Sequence, residues 1–86
     1  MLVRIVRMTF HRESVPAFLE NFNLHRELIR NFPGCTHLEL WRDLDSENIF
    51  ITYSHWESEE ALNQYRDSEL FKSVWSYTKA LSLIHI

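Results

Sequence analysis

The pair Pro33-Gly34 restricts the fold more than any other feature, because it holds the only glycine in 86 residues and one of the two prolines. Before this pair, Val15, Phe18 and Phe22 open a series of apolar residues at helical spacing. After it, apolar and polar residues alternate as they do in a strand. Glycine adopts a positive φ without strain. We therefore predict that Gly34 forms a tight reversal from a helix to a strand.

Strands are predicted wherever apolar and polar residues alternate. Residues 2–10 form the first such segment, and both of its faces are largely apolar, which is typical of a strand covered on two sides. Residues 35–42 and 48–56 are joined by the polar turn DLDSEN and predict an antiparallel hairpin. The tail LSLIHI, residues 81–86, predicts a short closing strand.

Helices are predicted from apolar spacing and from capping residues. Ser14 is a candidate N-cap of the first helix, with Pro16 in its first turn. Ser58 and Ser68 are candidate N-caps of helical segments that follow the hairpin. The order β-α-β-β-α-(β) with an antiparallel sheet predicts an α+β, ferredoxin-like fold. We expect residues 1–86 to form a single domain, because the chain is too short for a second core.

Composition and charge exclude several classes of partner. Nine basic and twelve acidic residues give a net charge of -3 without a basic run, which argues against nucleic acid. No apolar stretch is long enough to cross a bilayer, so we expect no membrane partner. One cysteine cannot form an internal disulfide, and we expect a cytoplasmic protein. Aromatic residues at 14% are many for a small monomer to bury, and they indicate a dimer interface or a ring-lined pocket.

Several short motifs follow one another in the segment FPGCTHLELWRDLDSENIFITYSHWESEEALNQYRDSELFKSVW. Pro-Gly-Cys follows the first helix, Leu-Glu-Leu lies in a strand that ends in Arg-Asp, and WESEEAL and SELFKS open the two helical segments. This order, up to about Leu81, resembles the antibiotic biosynthesis monooxygenase family. The resemblance implies a homodimeric α/β barrel of ferredoxin-like protomers, each with a pocket between sheet and helices. Family members with known activity mostly act on small aromatic or quinone-like molecules, often without metal or flavin.

The chain departs from parts of this family at its end and at three positions. After Leu81 the family usually continues through a longer loop to a last strand, whereas only SLIHI remains here. Haem-degrading members carry an Asn, a Trp and an iron-ligating His where this chain has Val6, Tyr65 and Trp75. Because tryptophan cannot ligate iron and valine cannot donate a hydrogen bond, the resemblance argues against haem degradation by that mechanism.

The histidines do not predict a metal site. They lack the short repeated spacing of a zinc or facial-triad site, and they are His11, His25, His37, His55 and His85. His37 and His55 fall on paired strands, yet an approximate register does not require that they share a face. We expect neither a metal nor another cofactor.

Two histidines and a tyrosine are the candidate catalytic residues. His55 ends the third strand, and Tyr53 points to the same face, so the pair could deprotonate and orient a phenolic substrate. The alternative is that both pack inside the dimer barrel. His25 lies on the apolar stripe of the first helix, as a pocket base or as a core-edge histidine with a hydrogen-bonded ring.

The candidate substrate-binding residues are Tyr65, Trp75, Arg4 and Val6. The resemblance implies that Tyr65 and Trp75 face the pocket, where flat rings suit an aromatic ligand, although core filling is the alternative. Arg4 and Arg7 fall on opposite faces of the first strand. A buried guanidinium needs a carboxylate or an anionic ligand, and Glu39 is a possible partner.

These observations favour a cofactor-independent monooxygenase that acts on a small aromatic or quinol-type substrate. A histidine would remove a phenolic proton, and the electron-rich anion would pass an electron to oxygen inside a dry pocket. The first alternative is a non-catalytic small-molecule-binding or regulatory dimer of the same fold. The second is an oxygen-independent isomerase or decarboxylase, because a fold does not fix a reaction.

Overall fold

Three strands and three α-helices make up the described part of the chain. The computed structural model describes residues 1–83. The elements are β1 (Leu2–Thr9), α1 (Val15–Arg30), β2 (Cys35–Arg42), β3 (Ile49–Trp56), α2 (Glu59–Arg66) and α3 (Glu69–Leu81). The sheet is antiparallel with the order β1-β3-β2. The prediction of an α+β, ferredoxin-like fold is confirmed.

The reversal at Gly34 has two physical causes. Gly34 has a φ of 92° and is the residue with positive φ within residues 1–83. A Cβ built on Gly34 would lie 2.5 Å from the Cβ of Ala61 on α2, closer than two carbon atoms can approach. The Gly34 carbonyl also accepts a hydrogen bond of 2.8 Å from the Glu57 amide. The glycine therefore serves both the turn out of α1 and the close seating of α2.

Two of the three predicted N-caps form side-chain hydrogen bonds. The Ser58 hydroxyl accepts from the Ala61 amide at 3.1 Å, and the Ser68 hydroxyl accepts from the Phe71 amide at 3.1 Å. Ser14 occupies the N-cap position of α1 without a side-chain cap bond. Its backbone is already helical, because a 3-10 turn at Arg12–Ser14 leads directly into α1.

The hairpin of β2 and β3 contains one irregularity. Glu39 pairs with Tyr53 and His37 pairs with His55, but Cys35 pairs with Trp56, so one extra residue lies between Cys35 and His37. This bulge turns Cys35 into the core and His37 to the other face.

The two faces of the sheet differ in what covers them. The helix-covered face carries two core clusters, which are Met8, Phe10, Val15, Phe18, Phe22 and Phe50, and Ile29, Cys35, Trp56, Leu62, Tyr65 and Val74. We call the other side the open face; it carries Val3, Ile5, Arg7, Thr9, His37, Glu39, Trp41, Ile49, Ile51, Tyr53 and His55. On it, Val3 and Ile5 are 43% and 61% exposed.

The predicted closing strand is only partly within the described residues. Leu81 still belongs to α3, so the strand does not begin there. Ser82 forms an isolated antiparallel bridge with Phe10, and the Leu83 amide donates to the Thr9 carbonyl at 2.7 Å. The rest of the predicted strand, residues 84–86, lies outside the described residues.

Candidate functional site

A cavity lies where the two core clusters meet, between the sheet and the helices. Its volume is about 50 Å³, enough for a few water molecules and less than the roughly 150 Å³ that holds benzene in an engineered core. The walls are Arg4, Met8, Phe18, Phe22, Ile29, Leu38, Thr52, Ser54, Trp56, Tyr65, Phe71, Val74, Trp75 and Thr78. Among these described residues there is no histidine and no carboxylate. The cavity is therefore an aromatic space with one cation.

Aromatic rings from three elements form a continuous wall. Trp56 at the end of β3 stacks on Tyr65 of α2, with ring centroids 4.8 Å apart. Tyr65 meets Phe71 of α3 edge to face at 5.1 Å, and Phe71 stacks on Trp75 at 6.1 Å. Phe71 and Trp75 are four residues apart and so lie on one side of α3. Both are partly buried, whereas Trp56 and Tyr65 are fully buried.

Arg4 is the one cation of the cavity wall within residues 1–83. Its guanidinium carbon lies 5.8 Å from the centre of the Phe71 ring, within the range of a cation–π contact. The ion pair found in the described residues joins His37 and Glu39 on the open face, so no carboxylate of residues 1–83 pairs with Arg4. Burial lowers the pKa of Arg4, and the positive charge of Arg66 lowers it further. Among the described residues the partly buried guanidinium therefore has no counter-ion.

Tyr65 is a neutral phenol at the centre of the wall. Burial raises its pKa to about 12, although the charge of Arg4 acts in the opposite direction. At neutral pH this hydroxyl can donate a hydrogen bond but cannot act as a base. It can therefore orient a polar atom of a ligand without taking a proton from it.

Three hydroxyl groups line the remaining walls. Ser54 accepts a hydrogen bond of 3.0 Å from the indole of Trp56, and this contact fixes that ring. Thr78 donates to the carbonyl of Val74 at 2.8 Å, one turn earlier in α3. Thr52 completes the set from β3. Ser54 and Thr78 thus form hydrogen bonds within the protein itself.

His55 and Tyr53 lie on the open face and not in the cavity. They are joined by a hydrogen bond of 2.7 Å between Nε2 and the phenol oxygen. Next to them, His37 contacts Glu39, and the indole of Trp41 donates to Glu39 at 2.7 Å. These two hydrogen bonds lower the pKa of Glu39. The predicted pair His55 and Tyr53 shares a face, as expected, but that face is opposite to the aromatic cavity.

The other two predicted site residues also lie outside the cavity wall. His25 donates from Nδ1 to the Asn21 carbonyl at 2.8 Å, a bond within α1. Val6 points toward the helices but packs against the first core cluster. Of the residues predicted to bind substrate, Arg4, Tyr65 and Trp75 are brought together.

Phe71 and Trp56 were not predicted as wall residues, and Glu39, the possible carboxylate partner, does not pair with Arg4. Phe71 could have been found from its four-residue spacing to Trp75. A carboxylate such as Glu39 cannot reach Arg4, because Glu39 lies on the open face. That Arg4 and Glu39 lie on opposite faces follows from the register between the strands, and the sequence of β1 alone does not reveal this register.

Two further kinds of site are not found in the described residues. Within residues 1–83, no group of three or more His, Cys, Asp or Glu side chains is arranged to hold a metal ion. No helix in the same range is both long and apolar enough to cross a membrane.

Solved structures share this fold at low sequence identity. A crystal structure of an antibiotic biosynthesis monooxygenase matches with a TM-score of 0.92 and 21% identity, covering 99% of this chain and 90% of that chain. A conserved protein from Methanosarcina mazei Go1 matches with 0.90 and 19%, covering 96% and 81%. A mutant of SnoaB, a cofactor-independent oxygenase from Streptomyces nogalater, matches with 0.82 and 23%, covering 93% and 81%. These likenesses show the fold.

The family itself is established by sequence. No curated protein matches the chain at a significant level. The family model described as antibiotic biosynthesis monooxygenase matches residues 1–74, which include every wall residue except Trp75 and Thr78. The chain therefore belongs to the antibiotic biosynthesis monooxygenase family.

Proposed function

We propose that this protein is a cofactor-independent monooxygenase that oxidises a small quinol-type aromatic with molecular oxygen. The observation that carries the proposal is the aromatic cavity between sheet and helices, whose wall holds one cation that forms no ion pair within residues 1–83. Family membership supports it, as does the fold shared with a structure described as a cofactor-independent oxygenase.

The reaction balances without a cofactor. One quinol and one O₂ give one hydroxylated quinone and one water. The O–O bond breaks, one oxygen atom replaces a ring hydrogen, and the other leaves as water with two hydrogens from the substrate. The substrate supplies all four electrons, two in becoming a quinone and two in becoming hydroxylated.

The chain's own residues would bind, orient and shield the ring. Trp75 and Phe71 offer faces for offset stacking, and Tyr65 offers a hydrogen-bond donor. The field of Arg4 favours the quinolate over the neutral quinol, so that a proton passes to water and the electron-rich anion can transfer an electron to oxygen. Because the cavity is smaller than a ring, substrate entry requires the partly buried rings of Phe71 and Trp75 to move.

This proposal does not use His55, Tyr53 or His25 as the base that deprotonates the substrate. None of the three lines the cavity, so we assign them no direct contact with a ring held there. We propose that the open-face pair acts only at the protomer interface, and that deprotonation depends on Arg4.

Oxygen uptake with a panel of small quinols and polyphenols tests the proposal. We expect Trp75→Leu to lower kcat/KM about fivefold, because stacking on one ring is worth about 1 kcal/mol. Tyr77→Leu is the matched control, since Tyr77 is on α3 but exposed. His55→Ala should leave turnover within about twofold in a dimer of unchanged mass. Absence of oxygen uptake across the panel would overturn the proposal, and product formed without oxygen would indicate an isomerase or decarboxylase.

A second candidate is a non-catalytic binding protein of the same fold. The small cavity volume and the absence of histidine and carboxylate from its walls within residues 1–83 favour it. In that case a quinol or quinone would bind with micromolar affinity and be recovered unchanged under air.

We also propose that the protein is a cytoplasmic homodimer joined through the open face. Val3, Ile5 and Trp41 are exposed there, on the face of the three-stranded sheet that no helix of residues 1–83 covers. A second copy would cover them and complete a barrel. The single, free and buried Cys35 suits a reducing compartment.

A further inference from the structure

From the cavity's Arg4, which forms no ion pair with the described residues, we propose that the ligand carries a permanent negative charge: a quinol ring bearing a carboxylate. The proposal rests on the proposed quinol site and names its substrate class. It assigns Arg4 as the residue that selects an acidic over a neutral ring.

The first argument is the cost of burying a cation alone. A guanidinium taken out of water is strongly destabilised unless a carboxylate or an anionic ligand compensates it. The ion pair found within residues 1–83 is on the open face, so none of the carboxylates in that range pairs with Arg4. Its guanidinium carbon instead lies over the Phe71 ring at 5.8 Å, a contact that offsets only part of the lost hydration.

The second argument is the charge of Arg66, at the end of α2. This charge lowers the pKa of Arg4. Like charges disfavour each other. A neutral ring would leave this repulsion unchanged, whereas a carboxylate would reduce it. A planar carboxylate also matches the two-pronged donor geometry of a guanidinium.

The third argument is the arrangement of ring and charge in one space. Trp75 and Phe71 form a stacking surface, and Arg4 lies against the same Phe71 ring. A ligand with a ring and a directly attached carboxylate can therefore meet both at once. An aliphatic acid would meet only the cation, and a neutral aromatic only the rings.

The test compares two probes of nearly equal shape, 2,5-dihydroxybenzoate and 2,5-dihydroxybenzamide. Calorimetric titration is done without oxygen, so that binding is measured without turnover. We expect the full-length native protein to bind the acid at least about tenfold more tightly than the amide. Arg4→Gln should remove this preference, and Arg4→Lys should retain part of it.

Arg7→Gln is the matched control. It removes the same charge from the same strand, but on the open face, so the preference for the acid should persist. Equal binding of acid and amide to the native protein would overturn the proposal, as would failure of both to bind. An equal loss in the Arg7→Gln and Arg4→Gln variants would also overturn it, because the effect would then come from net charge alone.

The outcome is separable from the monooxygenase proposal. Tight binding of the acid without oxygen uptake would overturn monooxygenase activity and leave the charge selection standing. Oxygen uptake with neutral quinols, without any preference for the acid, would overturn the charge selection and leave the activity standing.

Discussion

At the scale of single residues, the site depends on where charge and hydroxyl groups are buried. Tyr65 and Arg4 line the same cavity, and burial disfavours the ionised form of each. The sequence could not give this result, because it requires knowing that α2 and β1 bring the two side chains to one space. Alternation also shows that Tyr53 and His55 share a face, but not which one. Both faces of β3 carry large apolar residues, so the pattern does not mark the inner side.

Tyr65 gives a testable titration. Its pKa is about 12 in the folded protein, against an ordinary value of 10.0. Because the folded pKa is raised, the stability from the neutral phenol is present below pH 10.0 and is lost as the pH rises through about 12. Ultraviolet absorbance measures phenolate formation as the pH rises. The part of this signal that the Tyr65→Phe variant lacks should have its midpoint near pH 12 in the native protein. The Tyr77→Phe variant, changed at an exposed site, should keep that late signal. A Tyr65 signal complete by pH 10.0 would contradict this prediction.

At the scale of elements, local signals in the sequence were sufficient to predict where the helices begin and end. Gly34 marked the end of the first helical region, and Ser58 and Ser68 marked the starts of α2 and α3, because turns and caps depend on neighbouring residues. The bulge at Cys35 and His37 was not predicted, since it depends on pairing with a distant strand. Gly34 is needed both for its positive φ and for its close approach to Ala61, and unfolding experiments can measure the two contributions separately.

The contact between Gly34 and Ala61 predicts non-additive variants. Gly34→Ala places a side chain at positive φ and 2.5 Å from the Ala61 Cβ, so we expect a loss of about 3 kcal/mol in the free energy of unfolding. Ala61→Gly alone should cost about 1 kcal/mol in helix propensity. Because the double variant has no clash, its loss should be smaller than the sum of the two. Urea unfolding measures all three, and strict additivity would show that Gly34 is required only for its φ.

At the scale of the whole molecule, the open face exposes apolar side chains that a single protomer does not cover. The sequence predicted a first strand covered on both sides, and in the protomer Val3 and Ile5 remain exposed. The order of elements was predictable because each has a clear period. Which side chains line the cavity was not predictable from the sequence pattern. For Tyr65 and Trp75 the prediction came from the family resemblance.

Charge placed on the open face should separate the protomers. Ile5→Glu should convert a particle of twice the protomer mass into one of single mass at micromolar concentration, because a buried carboxylate there would lack a partner. Leu28→Glu is the control, since Leu28 on α1 is 58% exposed and Ile5 is 61% exposed. Analytical ultracentrifugation distinguishes the two. A native protein that sediments as a monomer would overturn the barrel.

The bulge in β2 also decides which donor atoms can meet. In a regular strand Cys35 and His37, two residues apart, would point the same way. Cys35 would then join His37 and His55, whose rings are 5.1 Å apart, on the open face. A thiolate with two imidazoles is a ligand set that zinc and copper favour. By inserting one residue, β2 buries the sulfur and separates it from the two imidazoles, so the three donor atoms do not share a face.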